Sequence, residues 1–469
     1  MAAALAAAVG GFLFGFDTAV INGGVEAIRS HFHTSALATG LAVSAALIGS
    51  AIGAMLAGRL AERIGRVRSM VIAAALFVVT ALGTGFAPTL TALSAWRVAG
   101  GVAIGLASVL APAYIAEISP AAVRGRLGSL QQMAIVLGIF AAMLGDFLFA
   151  SAAGGAEASL AGLQAWRWML MSAALPGALY LLMVVRIPES PRYLVARGRL
   201  AEAAAVLERF VGPAQAPLRL QEIRRTLDTR PVSWSSLRGP ALGLMPIVWV
   251  GILLSVFQQF VGINVIFYYS STLWQAVGFS ADDALLISVI GAAINIGATV
   301  VAIRTVDRFG RKKLLLAGSA LMAVTMAVMA TVFSSAALVD GRPHLSGGAA
   351  MLALIAANLY VFGFGVSWGP VVWVLLGEMF PNRIRALALA LAAGAQWAAN
   401  WLITVSFPTL AAVGLGVAYG IYTAFALLSF LFVARHVRET KSVELEDMEQ
   451  LYASPPLPGS PEQTPARRT

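Results

Sequence analysis

The chain has no cysteine, which removes disulfides, thiolate metal sites and cysteine nucleophiles together. Histidine is scarce as well: His31, His33, His344 and His436 are too few and too scattered for a His-based metal centre. Charge is the third shortage. Asp, Glu, Lys and Arg make up 12% of the 469 residues, against roughly 25% in a soluble domain. That excludes a water-soluble enzyme. With hydrophobic residues at 59%, it also excludes a disordered chain, which needs low hydrophobicity and high charge.

What the chain has in quantity is apolar sequence in runs long enough, at roughly 20 residues, to cross about 30 Å of hydrocarbon. Twelve such spans are predicted near 3–24, 36–58, 69–88, 92–115, 126–149, 166–186, 243–273, 283–304, 313–335, 348–378, 385–408 and 412–434. A membrane barrel would instead show ~10-residue alternating segments, so the expected class is an all-α integral membrane protein. A signal peptide would account for the apolar start. The run continues through Asp17, however, beyond a typical apolar core of ~7–15 residues, and reads as a first span with a short or trimmed flank.

The 32 Lys and Arg give a net charge of +10, and their placement is one-sided. Arg59, Arg63, Arg66 and Arg68 follow span two, Arg124 and Arg126 follow span four, and nine lie between Arg192 and Arg238. Arg304, Arg308, Arg311, Lys312 and Lys313 follow span eight, and Arg383 and Arg385 follow span ten. The alternate loops hold Arg29 and Arg342. Basic loops mark the cytoplasmic face, so both termini and the central loop are expected there, in the inner or plasma membrane. Anionic lipid, not nucleic acid, is the partner such basicity implies.

The polar segment 188–240 separates a six-span group (1–187) from a second (241–436), and 437–469 forms a cytoplasmic tail with a Pro-rich, disordered end. Short amphipathic stretches such as Leu200–Phe210 make the divider a helical linker. Two motifs recur, one copy per half. Glu62-Arg63-Ile64-Gly65-Arg66 after span two matches Asp307-Arg308-Phe309-Gly310-Arg311 after span eight. Glu117-Ile118-Ser119-Pro120 with Arg124 after span four matches Glu378-Met379-Phe380-Pro381 with Arg385 after span ten. Parallel repeats of this kind build secondary transporters with a site between the halves. Glycine supplies the turn and arginine pairs with carboxylate, so Arg59, Glu62, Arg63, Arg66, Glu117, Arg124, Asp307, Arg308, Arg311, Glu378 and Arg385 are candidates for a cytoplasmic latch. The plainer alternative is a set of topogenic charges with turn residues.

The order of these motifs, with Pro188-Glu189-Ser190-Pro191-Arg192, Gln258-Gln259-Phe260-Val261-Gly262-Ile263-Asn264 and Arg438-Glu439-Thr440-Lys441, resembles the sugar porter branch of the major facilitator superfamily over nearly the whole chain. Ser367-Trp368-Gly369-Pro370-Val371-Val372-Trp373 and Ala395-Gln396-Trp397 are similar to those of bacterial proton-coupled xylose and glucose carriers. The resemblance implies two six-helix bundles and alternating access. Glu62 stands where the first signature usually has Asp, Val67 where a second basic residue is common, and Arg438 where the terminal pattern has Pro.

Ionisable groups inside spans cost ~2.5–3.5 kcal/mol on insertion scales and mark function. Asp17 on span one lies roughly 10 Å from the outer end at 1.5 Å per residue. Span four runs the opposite way and brings Arg97 to a similar depth. Paired, the two lower each other's cost. A carboxylate that loses such a partner and its water favours the protonated form, which makes the pair a candidate proton coupler; a static structural ion pair is the alternative. The resemblance favours coupling, because proton-linked relatives carry Asp at the matching position. Asp146, near the outer end of span five, is expected to be hydrated.

A neutral polyol both donates and accepts hydrogen bonds, so its site needs amides, which do the same, beside apolar or aromatic faces. The spans hold Gln132, Gln258, Gln259, Asn264, Asn295, Gln396 and Asn400. Gln258 and Gln259 point about 100° apart on a regular helix, so Gly262 is expected to mark a break, and Gly369-Pro370 another. A lone amide can equally be an interhelical hydrogen bond and a lone Trp an interface anchor. By resemblance, Gln132, Gln258, Gln259, Asn264, Asn295, Trp373 and Gln396 match sugar-contacting positions. Phe14 and Trp397 would line the cavity, Tyr268 and Tyr269 would form an outer gate, and Ile139 points to a hexose.

The expectation is a monomeric importer of a monosaccharide, glucose or a related hexose or pentose such as xylose, in symport with protons, with no cofactor beyond the proton gradient. The rivals are a passive sugar uniporter, a non-transporting sensor, which needs a longer signalling appendage, and a drug exporter, which needs a greasier cavity. No nucleophile–base pair inside the spans supports an enzyme.

Overall fold

The computed structural model describes residues 2–118, 124–227, 234–339, 342–345, 347–381 and 384–441. Before the linker come α1 (Ala2–Val20), a 3-10 turn (Asn22–Gly24), α2 (Val25–His31), α3 (Ala36–Ile64), α4 (Arg66–Gly85), α5 (Leu90–Ile118), α6 (Arg124–Ala153), α7 (Ala165–Ser172) and α8 (Ala174–Val184). The linker forms α9 (Pro191–Ala196), α10 (Leu200–Val211) and α11 (Ala216–Leu227). Then follow α12 (Pro246–Phe260), α13 (Ile263–Ala276), α14 (Ala281–Phe309), α15 (Arg311–Ser334), α16 (Gly347–Val366), α17 (Trp368–Met379), α18 (Arg385–Val413) and α19 (Leu415–His436). Among the described residues these make twelve rods long and apolar enough to cross a membrane. The helical class is relieved by two antiparallel hairpins, β1 (Ser159–Leu160) with β2 (Leu163–Gln164) and β3 (Ala337–Val339) with β4 (Arg342–His344). Both lie on the face opposite the linker, called here the far side.

The second and eighth rods run to Ile64 and Phe309, past the 58 and 304 read from hydropathy. A helix continues through polar residues as long as its backbone bonds continue; what stops these two is Gly65 and Gly310, with φ of 98° and 88°, a conformation that glycine adopts without a Cβ penalty. The same glycines then start α4 and α15.

Within the first half, α3 packs on α5, α1 on α6 and α5, and α4 on α5 and α8. Gly49 and Gly53 of α3 face Val98 and Val102, while Gly101 and Gly105 of α5 face Ala46 and Ser50. Small residues four apart let the two backbones approach closely, which drives association where lipid removes the hydrophobic force. Within the second half, α15 packs on α19 and α16, α14 on α16, and α12 on α18. The halves meet chiefly along α3–α18 and α6–α14. The outward faces are apolar: Leu175, Leu179 and Leu182 form an exposed stripe on α8 at the i, i+4, i+7 spacing of one helix face.

The linker carries its own small core of Leu194, Val195 and Ala203, with Leu200, Val206, Leu220 and Ile223 against it. Arg197 donates to the carbonyls of Glu62 (3.1 Å) and Arg63 (2.6 Å), fixing α9 to the end of α3. In α10, hydrogen bonds from Arg199 hold the Glu202 carboxyl below the usual carboxylate range.

Candidate functional site

Asp17 and Arg97 meet. Arg97 Nη2 lies 3.8 Å from Asp17 Oδ2, with side chains 3% and 17% exposed. The contact is longer than a direct hydrogen bond, and Arg97 spends the same nitrogen on Val43 O at 3.3 Å. Its Nε is buried without a partner among the described residues. A small pocket lined by Thr80, Thr84, Phe77 and Leu170 adjoins the pair. The carboxylate is therefore held loosely, by charge and not by a fork of hydrogen bonds.

Three of the amides meet as well. The seventh rod breaks at Gly262, whose φ is 93°, and the Val261 carbonyl released there accepts from Tyr360 Oη at 2.7 Å. The tenth rod breaks at Ser367, with φ −124° and ψ −87°, two residues before the expected Gly369. Pro370 explains the shift: lacking an N–H, it cannot bond the Val366 carbonyl, and it is tolerated only in the first turn of a fresh helix. Gln258 joins the two breaks, its Nε2 donating to Trp368 O at 2.8 Å and Gly369 O at 3.2 Å. Gln259 donates to Gln258 Oε1 at 3.3 Å, and Asn264 Nδ2 donates to Gln259 Oε1. Gln258 and Gln259, which a regular helix would point apart, are thus linked, and the broken helix is what allows Asn264 to reach them.

The remaining candidates are placed separately. Phe14 of α1 meets Trp397 of α18 edge to face, with centroids 5.5 Å apart, across the two halves. Asn295 is buried with its Oδ1 against Gly365. Gln396 Oε1 is buried without a partner among the described residues. Gln132 is half-buried, and Trp373 is 44% exposed on α17. No hydrogen bond joins Gln132, Asn295, Trp373 or Gln396 to the amide chain among the described residues. Tyr268 and Tyr269 are buried; Tyr269 donates to Thr404 O at 3.0 Å and packs on Phe407.

On the linker side each half carries an ionic cluster, and among the described residues the ion pairs of each cluster lie within its half. In the first, Arg66 Nη2 pairs with Glu117 at 3.0 Å and Ser190 Oγ donates to Glu117. Glu189 accepts from the backbone N–H of Arg66 (2.9 Å) and Val67 (3.2 Å). In the second, Arg311 pairs with Glu378 at 2.7 Å and with Asp307 at 2.9 Å, and Thr440 Oγ1 donates to Glu378 at 2.7 Å. Glu439 accepts from the N–H of Arg311 (2.9 Å) and Lys312 (3.1 Å). Glu189 and Glu439 each place a negative charge on a helix N-terminus, where orphan N–H groups and the dipole favour it. A Cβ on Gly65 or Gly310 would collide with these carboxylates, so glycine is required there for space as well as for φ.

Glu189, Ser190, Glu439 and Thr440 were not singled out as site residues from the sequence. The available signal was that an acid followed by a hydroxyl residue appears just after span six and just after span twelve. Of the other latch candidates, Arg59, Glu62 and Arg63 are exposed. Arg308 lies over the Phe309 ring, and Arg385 Nε donates to Phe380 O. The side chain of Arg124 lies outside the described residues.

On the far side, hydrogen bonds cross between the halves at Asn22. Its Oδ1 accepts from Ser271 N at 3.0 Å, its carbonyl from Ser271 Oγ at 2.6 Å, and its Nδ2 donates to Ser288 Oγ at 3.3 Å. Asp146 sits beside this knot and is 0% exposed, correcting the hydrated position expected for it. Its Oδ2 accepts from Gly23 N at 2.9 Å. The turn after α1 folds over the end of α6 and removes the water that a position near a span end suggests.

A family model described as sugar (and other) transporter matches residues 3–452. The chain is 55% identical over 447 residues to the glucose transport protein of Synechocystis sp., covering 94% of this chain and 95% of that one. It is 37% identical to the D-xylose-proton symporter of Escherichia coli, covering 96% and 94%. Its fold is similar to the inward open conformation of the xylose transporter XylE from E. coli, with a TM-score of 0.80, 36% identity and coverage of 96% and 98%. A multi-pass membrane protein built from two six-helix groups and matched end to end in this way is a transporter and not an enzyme, and the chain belongs to the sugar transporter family of the major facilitator superfamily.

Proposed function

We propose that the chain imports a monosaccharide, D-glucose or a related hexose or pentose such as xylose, in symport with protons by alternating access. Linker and both termini face the cytoplasm, as the basic loops require, and the membrane is the cell's inner or plasma membrane. The protein works as a monomer with anionic lipid against its basic loops, and needs no cofactor beyond the proton gradient. The sugar lies among Gln132, Gln258, Gln259, Asn264, Asn295 and Gln396, with Trp373, Phe14 and Trp397 offering aromatic faces. The similarity to a glucose transport protein and a xylose-proton symporter supports this substrate class.

The observation that carries proton coupling is the partly buried Asp17 held 3.8 Å from the buried Arg97. Beside the guanidinium the carboxylate keeps its charge; drawn away from it and desolvated, it takes a proton. A pair this loose can exchange between those states as the halves rock. The two linker-side clusters act as the latch: each binds its own helix ends together, so that a half moves as one body.

The test is uptake of labelled sugar in proteoliposomes under an imposed pH gradient. Asp17→Asn should abolish accumulation and leave counterflow of sugar down its gradient intact. If the variant still concentrates sugar, Asp17 is not the coupling group. If the parent protein never concentrates sugar, it is a passive uniporter.

A further inference from the structure

We propose that Asp146 is a second proton-binding carboxyl, set on the outer gate, where its neutral form holds the gate shut. The inference rests on the import reading above only in assigning the far side to the outside. Asp146 is fully buried near the far end of α6. It has one partner, the Gly23 N–H at 2.9 Å, and its Oδ1 has none among the described residues. Gly23 is pressed against it: a Cβ there would lie 2.7 Å from Asp146 Cβ and Cγ. The next residue back, Asn22, carries the hydrogen bonds that join the first half to Ser271 and Ser288 of the second. Asp146 therefore positions the turn that closes the gate.

A carboxylate ion satisfied by a single N–H in a water-free place is costly, whereas the neutral acid loses far less on burial. The titratable groups on the surrounding elements do not supply a counter-charge. Asp17 on α1 faces Arg97, and Glu26 on α2 pairs with Arg29 at 2.5 Å. Arg167 on α7 lies over Trp166, donates to the Gly85 and Ala87 carbonyls and meets His31 at 3.3 Å. Tyr268 and Tyr269 on α13, Asp282 and Asp283 on α14 and Glu157 after α6 make no hydrogen bond or ion pair with Asp146 among the described residues. Met143, one turn earlier on the same face of α6, lines a small pocket between the halves with Ser270, Ser288 and Asn358, which gives water a place beside the gate. Opening hydrates the carboxyl and favours the ion; a proton from outside restores the neutral acid and favours closure.

The cysteine-free chain allows a single reporter, Ser270→Cys, in that pocket. A membrane-impermeant maleimide is applied from the side away from the linker at a series of pH values, with thiol ionisation corrected from a free-thiol standard. One linked proton changes the open-to-shut ratio by up to about tenfold per pH unit, so labelling should rise steeply with pH in the parent. In an Asp17→Asn background, which removes the pH dependence of the coupling pair, the step should remain, and adding Asp146→Asn, which keeps a neutral acceptor for Gly23, should leave labelling flat and slow. A flat profile in the Asp17→Asn background, or a step that survives the double substitution, overturns the proposal. Should the double variant not fold, hydrogen exchange in the Asp17→Asn protein decides. Amides of residues 22–31, corrected for intrinsic pH dependence, should gain protection as pH falls, and unchanged protection overturns the proposal. None of these readouts needs sugar, so a failure of uptake would sink the import reading alone.

Discussion

Arg66 and Arg311 occupy the same place in the two halves, each follows a glycine of positive φ, and each donates Nη1 to a carbonyl five residues back, Ala61 and Val306, at 3.3 Å in each case. Beyond that they part. Arg66 reaches Glu117 with one nitrogen. Arg311 grips Glu378 with two, Nε at 3.0 Å and Nη2 at 2.7 Å, and holds Asp307 as well. The parallel two-point geometry is the stronger form of the arginine–carboxylate pair. Glu117 is the more buried acid, 15% against 31%, which raises the worth of its single contact. The number of contacts still decides, because the two arginines are nearly equally buried, at 14% and 10%. Among the described residues the second half is thus more firmly tied at its linker-side end, and compliance is concentrated in the first.

The largest test of that difference is to remove each arginine. Breaking a buried charge pair costs roughly 3–5 kcal/mol, and a single hydrogen bond to a charged group about 1.5–3 kcal/mol. Arg311→Ala is expected near the lower end of the first range, Arg66→Ala within the second. Thermal unfolding in detergent, with each variant ranked against the parent, measures both. Equal losses would erase the comparison.

That the two clusters exist was legible in the sequence, because acid-Arg-x-Gly-Arg and Glu-x-x-Pro recur at matching places and charges of opposite sign next to turn residues pair across helix ends. Their completion by Glu189 and Glu439 was not. Each of those acids lies more than a hundred positions from the amides it caps, 123 in the first half and 128 in the second, and only the folded return of the chain brings them together. The Asp17–Arg97 pair was legible from depth alone, since two charges in antiparallel spans have few other ways to lower their cost. Asp146 was misread for the converse reason. Depth along a span says how far a side chain is from the membrane surface, and says nothing of a turn from another helix that lies on top of it. The break in the tenth rod shows a similar limit: a proline announces that a helix must restart, but the restart falls where the missing hydrogen bond would have been, before the proline itself.

A middle-sized test sharpens the comparison by removing the hydroxyls. Ser190 and Thr440 each donate to the shared carboxylate, and a buried hydrogen bond contributes about 1 kcal/mol net. Ser190→Ala should cost more than Thr440→Val. Among the described residues Glu117 has one arginine contact and would lose a large fraction of that support, while Glu378 keeps its two-point pair. The ranking is read from the same unfolding experiment, and the reverse order would place the softer cluster in the second half.

The smallest effect concerns the acids one turn before each arginine. Asp307 pairs with Arg311 although it is 82% exposed, and exposed pairs contribute roughly 0–1 kcal/mol. Glu62 holds the equivalent position and is exposed, with no ion pair to Arg66 among the described residues. Asp307→Asn should therefore lower stability by a few tenths of a kcal/mol in low salt, about the size of an i,i+4 helix pair, and by less at high ionic strength, where exposed charges are screened. Glu62→Gln should change neither. A salt-dependent loss from Glu62→Gln equal to that from Asp307→Asn would mean that Glu62 does reach Arg66 in solution. The two clusters would then differ only in how their arginines meet Glu117 and Glu378, and the argument for a softer first half would stand on that one pair of contacts.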